Sequence, residues 1–294
     1  MGCHCGDTAG TVESRPHVAG TGNLFFGPAM RIILPIKQVP ETTGVRMDEA
    51  TGTMIREGVE AIVNPLDLYA IEAALALREA CGGEVLAISM GPPAAAKALR
   101  EAIAMGVDSA VLLSDKAFAG SDTWATSYVL AAAIRRLEPY DLIVCGERAT
   151  DGDTGQVGPG IAGFLNLPVL TYVSRVDGIA GGVCRARRLV ENGYETLEMQ
   201  LPGVVTVLKE AADPRLPTLR GKQRAKKVEI PVWGAAELGI AADEVGLGGS
   251  PTRVIRIFRP SLARKCETAV ASDEAAVDAA ADRLLEMLRS KGLV

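Results

Sequence analysis

The chain has 294 residues, and 48% of them are hydrophobic, which is enough to fill the core of one large domain or of one domain with appendages. The net charge is −5 and both signs are mixed along the chain, which argues against a general nucleic-acid-binding protein. The apolar runs are short and are broken by glycine, proline or charge, so we predict a soluble chain without a transmembrane segment.

The six cysteines do not form a disulfide framework. No CxxC pair is present, and four cysteines are scattered through predicted core elements: Cys81, Cys145, Cys184 and Cys266. Buried, unpaired thiols are typical of a reducing compartment, so a cytoplasmic location is expected. The CHC triplet at 3–5 is too small a ligand set for a structural metal site, so no metal is predicted.

Both histidines, His4 and His17, lie in residues 1–29, an aperiodic stretch that we predict to be a disordered extension or a tag. It lacks the basic and long apolar regions of a signal peptide. The predicted folded body, which begins near Met30, therefore has no histidine. Ser-His-Asp and Cys-His nucleophile systems are excluded from that body. We predict no catalytic side chain and expect a bound cofactor to carry the chemistry.

The stretch 30–210 alternates short apolar runs with amphipathic segments. One helix opens at Asn64 as N-cap, with Pro65 in the first turn and Asp67 at N3, and ends at Gly82. The other predicted helices are 94–105, 122–137 and 154–165, and the predicted strands are 31–36, 84–89, 110–114, 141–146 and 169–173. Nearly continuous apolar strands between helices indicate an α/β fold with a doubly wound, mostly parallel sheet. Ligands of such sheets bind beyond the carboxyl ends of the strands.

The pattern changes in the C-terminal part of the chain. Two extended runs flank Asn192-Gly193, which is typical of a type I′ hairpin and predicts added antiparallel strands. Residues 211–264 are proline-bearing and partly basic, and we predict that they form a partner-recognition loop and arm. Residues 265–294 are predicted to be a helical tail, with a helix over 272–290.

A glycine-rich loop, 145–163, contains the end of the predicted strand 141–146. Its glycines permit close backbone approach, and N–H groups at a following helix start can bind phosphate oxygens. The spacing matches neither GxGxxG nor GxxxxGK[ST]. Asp151 and Asp153 would repel a phosphate unless they point away, cap a helix or hold Mg²⁺. A simple turn capped by Asp153 is therefore the alternative interpretation.

The other candidate residues also have structural alternatives. Arg148 is either a phosphate or flavin contact or a solvated charge, and Lys37 is either an anion ligand or an exposed residue at a strand end. Asp122 and Thr123 could simply cap their helix. The two tryptophans could stack on an aromatic cofactor, although single tryptophans usually serve packing.

Taken together, several segments resemble the small, beta subunit of the electron-transfer flavoproteins. They are RIILPIKQVPET, NPLDLYAIEAALALRE, AISMGPP, DGDTGQVGPGIAGFLNLP and LPGVVTVLKEAADPRLPTLRGKQRAKK. They occur in that family's order and spacing, and the resemblance covers roughly residues 30–257. It implies a sheet of the adenine-nucleotide-binding type and a C-terminal arm that wraps a partner.

The resemblance also implies an obligate partnership with a larger alpha subunit, which carries the electron-transferring FAD. The beta subunit would hold a second nucleotide, either AMP in simple carriers or FAD in electron-bifurcating members. The loop 211–219 resembles the region that docks partner dehydrogenases, of the acyl-CoA or another class. The residues implied at the nucleotide are Pro35, Lys37, Asn64, Asp67, Met90, Asp122, Thr123, Arg148, Asp151, Gly152, Asp153, Thr154, Gly155, Gln156 and Val157.

The segments FAGSDTWATSY and GERATDGDTGQVGP look more like the bifurcating, FAD-binding members, because Asp122-Thr123 could approach the flavin ring. In that branch a hydride from NADH would reach the beta flavin. One electron would then pass through the alpha-subunit FAD to a high-potential acceptor, and the other to a ferredoxin or flavodoxin. NADH oxidation is expected only of the alpha–beta complex. Two alternatives stay open, an AMP-binding carrier subunit without its own redox flavin and a stand-alone nucleotide-binding regulatory domain.

Overall fold

The computed structural model describes residues 29–41, 46–47, 54–55, 61–255 and 268–294. The predictions for the extension 1–29, apart from Ala29, lie outside the described residues, as do those for both histidines and Cys266. The chain divides into two compact units, Met1–Val254 and Ile255–Val294.

The main sheet has nine strands among the described residues, in the order β11-β10-β9-β12-β8-β1-β6-β7-β13. From β9 rightward to β13 in this order, neighbouring strands pair in parallel. β10 pairs antiparallel with both β9 and β11. This confirms the predicted mostly parallel α/β sheet with added antiparallel strands. In chain order the strands are β1 (Met30–Pro35), β2 (Gln38–Pro40), β3 (Arg46–Met47), β4 (Met54–Ile55), β5 (Ala61–Val63), β6 (Gly83–Met90), β7 (Ser109–Leu113), β8 (Leu142–Gly146), β9 (Val169–Ala180), β10 (Val183–Val190), β11 (Gly193–Gln200), β12 (Gly203–Val207) and β13 (Val232–Trp233).

The first four helices pack on the two faces of this sheet, and four further helices follow in the described C-terminal part of the chain. They are α1 (Pro65–Cys81), α2 (Ala96–Met105), α3 (Thr123–Arg136), α4 (Val157–Leu165), α5 (Leu219–Lys227), α6 (Ala235–Leu238), α7 (Gly246–Gly249) and α8 (Glu274–Ser290). Within the described residues, none of them is long and apolar enough to cross a membrane.

The central strand β1 is buried on both faces, as its continuous apolar sequence predicts. Ile32 and Leu34 belong to the hydrophobic cluster on one face, and Ile33 belongs to the cluster on the other. All three side chains are fully buried, and each such burial contributes roughly 1.5–3 kcal/mol. The two-sided core therefore holds the strand ends at the carboxyl edge in place.

The sheet has a topological switch at β1. The chain runs from β1 to β6 and β7 on one side and then returns to β8 on the other side of β1. The loops that leave β1 and β8 diverge to opposite faces, which opens a crevice at the carboxyl edge. The fold thus predicts a binding site beyond Pro35 and Gly146.

The hairpin between β10 and β11 differs from the prediction by one residue. Val190 pairs with Gly193, so the two loop residues are Glu191 and Asn192 rather than Asn192 and Gly193. A type I′ turn requires a positive φ at both central positions, and neither loop residue has one. The type I′ assignment is therefore wrong, because the strand register places Gly193, with φ 137°, inside β11.

Part of the predicted arm is built into the main unit. β13 pairs in parallel with β7 and extends the edge of the sheet. α5 packs on α2, and Arg224 donates hydrogen bonds to the carbonyls of Val107 and Asp108 that follow α2. Partner wrapping by the remainder of the arm stays a prediction.

The second unit contains α8. Asp273 accepts the N–H of Ala276 at 2.9 Å and is the N-cap, so the helix begins at Glu274 rather than at 272. The side chains of Val277, Leu284 and Leu285, which are spaced along one helix, are exposed. This is the amphipathic helix that the sequence predicts.

Candidate functional site

A cavity of about 390 Å³ lies where β1, β6 and β8 end, a size within the range of small-molecule sites. Six separate stretches of the chain contribute to its wall. Twelve of the fifteen residues predicted at a nucleotide line it: Pro35, Lys37, Asp67, Met90, Asp122, Thr123, Arg148, Gly152, Asp153, Thr154, Gly155 and Val157. Asn64, Asp151 and Gln156 are adjacent to the lining but not part of it.

Asn64 ties the start of α1 to the glycine-rich loop. Its fully buried amide donates from Nδ2 to the carbonyl of Arg148 at 2.9 Å and accepts the N–H of Thr150 at 3.1 Å. The residue holds the N-cap position of α1 as predicted, but it makes no side-chain capping bond. The loop groups use the side chain that a capping interaction would need, so Asn64 positions the loop.

Asp67 joins the first turn of α1 to the end of β1. Its buried Oδ2 accepts the backbone N–H of Lys37 at 2.7 Å. Burial removes water from the carboxylate and raises its pKa to about 7, even though hydrogen bonds from Lys37 and Asn64 favour the ionised form. At neutral pH this part of the wall is therefore only partly charged.

The two cations of the cavity are each paired with an aspartate of the loop. Lys37 Nζ lies 2.8 Å from Asp151 Oδ1, and Arg148 Nε lies 3.2 Å from Asp153 Oδ1. Glu147 Oε1 is 3.6 Å from the same Arg148 nitrogen. Since all of these side chains are partly exposed, the pairs are weak and exchangeable.

The glycine-rich loop enters α4 at Val157, three residues later than predicted. Asp153 and Gly155 have φ values of 55° and 63°, which a right-handed helix cannot contain. The predicted start at Thr154 is therefore wrong. The N-cap residue Gln156 makes no side-chain capping bond, and Val157 and Gly158 of the uncapped first turn of α4 line the cavity. The N–H groups of such a turn suit an anion.

Gly158 allows α4 to pack closely on the sheet. A Cβ at this position would lie 2.5 Å from Cγ2 of Thr206 in β12 and 3.5 Å from Cβ of Cys145 in β8. A side chain here would push the first turn of α4 away from the strand ends. The position of the helix start beside the cavity thus depends on a glycine.

The start of α3 forms the opposite wall. Asp122 caps the helix, as predicted, by accepting the N–H of Ala125 at 3.0 Å. Its second oxygen accepts both the N–H and the hydroxyl of Thr252, at 2.9 and 2.7 Å. The Thr123 and Thr154 hydroxyls lie 3.1 Å apart. These bonds join α3, the glycine-rich loop and the end of the arm around one cavity.

Sequence reasoning missed part of the wall. The additional lining residues are Ile36, Ser121, Thr126, Leu130, Cys145, Gly146, Glu147, Ala149, Gly158, Thr252 and Val254. Thr126 and Leu130 follow Asp122 at intervals of four, so the helical period could have identified them. Thr252 and Val254 gave no such signal, because only the tertiary fold brings the end of the arm to α3.

Neither tryptophan lines the cavity. Trp124 is exposed and meets Phe164 edge-on, with ring centroids 4.8 Å apart, and Trp233 lies beneath the guanidinium of Arg136 at 5.2 Å. Each ring instead contacts another side chain of this chain. Among the described residues, no group of three or more His, Cys, Asp or Glu side chains is placed to hold a metal ion.

Comparison with known proteins identifies the family. The profile of the electron transfer flavoprotein domain matches residues 51–238. The chain is 46% identical over 266 residues to the electron transfer flavoprotein subunit beta of Thermoanaerobacterium thermosaccharolyticum, which covers 90% of this chain and 100% of that protein. It is 48% identical over 232 residues to the caffeyl-CoA reductase-Etf complex subunit CarD of Acetobacterium woodii, covering 79% of this chain and 88% of CarD.

A third relative is protein FixA of Azorhizobium caulinodans, 43% identical over 254 residues, with coverage of 84% of this chain and 90% of FixA. The profile spans more than half of the chain, and each relative is aligned over most of its length. The chain therefore belongs to the electron transfer flavoprotein family, as one of its beta subunits.

Proposed function

We propose that this beta subunit pairs with an alpha subunit and holds FAD in the cavity, and that the complex passes electrons between NADH or dehydrogenases and their acceptors by flavin-based bifurcation. The observation that carries the proposal is the convergence of the predicted nucleotide residues on one cavity at the switch point. In open α/β sheets this is the position of the ligand.

The lining fits the phosphates of a nucleotide. Val157 and Gly158 offer uncapped N–H groups at a helix start, and Lys37 and Arg148 bring positive charge to the rim. A Cβ at Gly152 would meet nothing within 4 Å, so the loop backbone is open to a ligand there. The raised pKa of Asp67 reduces the negative charge beside such a ligand.

The opposite wall fits an extended ligand. The start of α3 contributes Thr123, Thr126 and Leu130, and the end of the arm contributes Val254. These hydroxyl and apolar side chains come from elements other than the glycine-rich loop, and they suit the ring system that FAD adds to a mononucleotide. When bound, FAD supplies the capacity to accept a hydride and to release electrons singly. The residues of this chain hold and orient it and set its surroundings through hydrogen bonds and charge.

The loop 211–219 suits a protein partner. Leu216 and Leu219 are 86% and 82% exposed, which is unusual for large apolar side chains, and Arg215 holds the loop to α1 through Glu72 and Glu79. CarD is a subunit of a caffeyl-CoA reductase-Etf complex, which supports a partner that acts on CoA thioesters. An acyl-CoA or related dehydrogenase is therefore proposed for this loop, with NADH as donor and a ferredoxin or flavodoxin as the low-potential acceptor.

AMP is the second candidate for the cavity. The volume of about 390 Å³ lies toward the lower end of the range for ligand sites, which favours a small nucleotide. In that case the chain does no redox chemistry of its own. A stand-alone regulatory role has less support, because CarD and the relative from Thermoanaerobacterium thermosaccharolyticum are both named as subunits.

The test is acid release and chromatographic quantification of nucleotides from the chain coexpressed with its alpha subunit. Two FAD per heterodimer, no AMP and bleaching of the flavin absorbance by NADH would support the proposal. One FAD and one AMP would leave a simple carrier. Asn64→Ala, which frees the loop, should remove the nucleotide of this chain while the alpha-subunit FAD stays. Gly163→Ala, at a position where a Cβ meets nothing within 4 Å, is the matched control.

A further inference from the structure

Among the residues that the structure describes, the cavity has more acidic than basic groups, although it is proposed to receive phosphates. Its lining contains two cations, Lys37 and Arg148. Against them stand four lining carboxyl groups, of which Asp67 is only partly ionised at neutral pH, and Asp151, paired with Lys37, is a fifth acid beside the lining. The lining carboxyl groups are those of Asp67, Asp122, Glu147 and Asp153.

Both cations already have carboxylate partners. Lys37 is 2.8 Å from Asp151, and Arg148 is 3.2 Å from Asp153 and 3.6 Å from Glu147. A phosphate that approaches either cation must share it with a carboxylate or displace that carboxylate. Like charges held within a few ångströms repel, and at this rim water screens them only in part.

Within the described lining, few other groups can neutralise a ligand. The uncapped N–H groups of Val157 and Gly158 carry the partial positive charge of a helix start, equivalent to about half an elementary charge. The oxygens of Asp122 accept hydrogen bonds from Ala125 and Thr252, which holds that carboxylate in place on the opposite wall. The site is therefore equipped for a ligand of low charge.

We infer that Asp151 and Asp153 set the ligand charge that this cavity accepts, so that it admits adenine nucleotides with about two phosphate charges, such as AMP or FAD, and rejects ADP and ATP. Each further phosphate adds negative charge where the two cations are already paired. The inference rests on the proposed function and extends it by naming the residues that select among adenine nucleotides.

The variant that tests this is Asp151→Asn/Asp153→Asn. It removes two negative charges and keeps the side-chain shapes, and asparagine tolerates the φ of 55° at position 153. Asp177→Asn is the matched control, because Asp177 also pairs with an arginine, Arg175 at 2.6 Å, but does not line the cavity. Asp153→Asn alone, at a side chain 68% exposed, is a second variant that should not disturb folding.

Binding of AMP, ADP and ATP is measured by calorimetry on the heterodimer after its AMP or beta-site flavin is removed, without Mg²⁺ and again with Mg²⁺. In the wild type without Mg²⁺, the Kd of ATP should be higher than that of AMP by a factor of about ten or more. In the double variant the ATP-to-AMP ratio of Kd should narrow by about threefold or more, and in Asp177→Asn it should not change.

Two results would overturn the inference while leaving the proposed function intact. One is an ATP-to-AMP ratio of Kd that narrows by less than about threefold in the double variant, and the other is a wild type that binds ATP as tightly as AMP. A heterodimer whose beta site takes up neither AMP nor FAD would instead contradict the proposed function itself. In the Asp153→Asn variant, the ATP-to-AMP ratio of Kd should lie between the ratio of the wild type and that of the double variant.

Discussion

Lys37 and Asp67 are joined by a hydrogen bond of 2.7 Å from the backbone N–H of Lys37 to the carboxylate of Asp67. The side chain of Lys37 continues the connection to Asp151 in the glycine-rich loop, at 2.8 Å. One residue at the end of β1 thereby links the first turn of α1 to the loop that leaves β8. The pKa of about 7 for Asp67 makes this linkage dependent on pH.

The first prediction concerns the ionisation of Asp67. The pKa of Asp67 is about 7 in the folded state and about 3.8 in the unfolded chain. Because the folded state holds the proton more tightly, this carboxyl group makes the unfolding free energy of the wild type fall as pH rises between those two values. Asp67→Asn removes that effect. From pH 5 to pH 8, the unfolding free energy of the variant relative to wild type should rise by about 2.5 kcal/mol.

Urea unfolding of the nucleotide-free chain at several pH values measures this difference. Parallel curves for Asp67→Asn and wild type would mean that folding leaves the ionisation of Asp67 unchanged.

The second prediction concerns the close approach of α4 to the sheet. Gly158→Ala places a methyl group 2.5 Å from Thr206 Cγ2, and Thr206 is buried, so neither side can yield easily. Overpacking of this kind typically lowers the unfolding free energy by about 1–3 kcal/mol. The variant should also retain less nucleotide, because Val157 and Gly158 move with the helix start.

Gly163→Ala on the same helix is the internal reference for Gly158→Ala. Its methyl group meets nothing within 4 Å, and alanine is a better helix former than glycine. We expect it to raise the unfolding free energy by up to about 1 kcal/mol. Equal effects of the two substitutions in chemical unfolding would rule out the steric explanation.

The third prediction concerns Asn64. Asn64→Ala removes the partners of the Arg148 carbonyl and the Thr150 N–H, and each unpaired group costs about 1–3 kcal/mol if it stays buried. The loop should therefore open to water, and amide exchange over 148–155 should accelerate. Asn64→Asp keeps an acceptor for Thr150 but places a buried carboxyl group against the Arg148 carbonyl and Asp67, so it should accelerate exchange at least as much as alanine does. Unchanged loop exchange in Asn64→Ala would show that the loop is held by other bonds.

The fourth prediction concerns the order of the loop 211–219. Arg215 makes paired hydrogen bonds to Glu72, at 2.7 and 2.8 Å, and bonds both oxygens of Glu79. Arg215→Ala should release the stretch around Leu216 and speed its amide exchange, with a change in global stability of less than about 1 kcal/mol since these groups are partly exposed.

Arg215→Lys keeps the charge but cannot bind two carboxylates through a planar fork, so it should restore only part of the protection. Full protection in Arg215→Lys would indicate that charge alone orders the loop.

The sequence determined the features that depend on neighbours in the chain. The apolar runs of β1 and β8 predicted buried strands, because a strand covered on both faces needs apolar residues throughout. Asp122 was identifiable as a helix cap, since its partner is only three residues away. The glycine-rich loop and its order relative to the other segments also predicted the family, and the match to the family profile confirms it.

The tertiary structure decided what depends on distant partners. Asn64 has the sequence position of a helix cap, yet its side chain bonds loop groups 84 and 86 residues away. Thr252 reaches Asp122 across 130 residues, and no periodicity connects the two. The start of α4 differs from the prediction because the loop backbone takes positive φ at Asp153 and Gly155, which local sequence patterns did not show. Local sequence patterns report side-chain burial and nearby hydrogen bonds, whereas the partners of a buried polar group are chosen only when the sheet brings separate loops together.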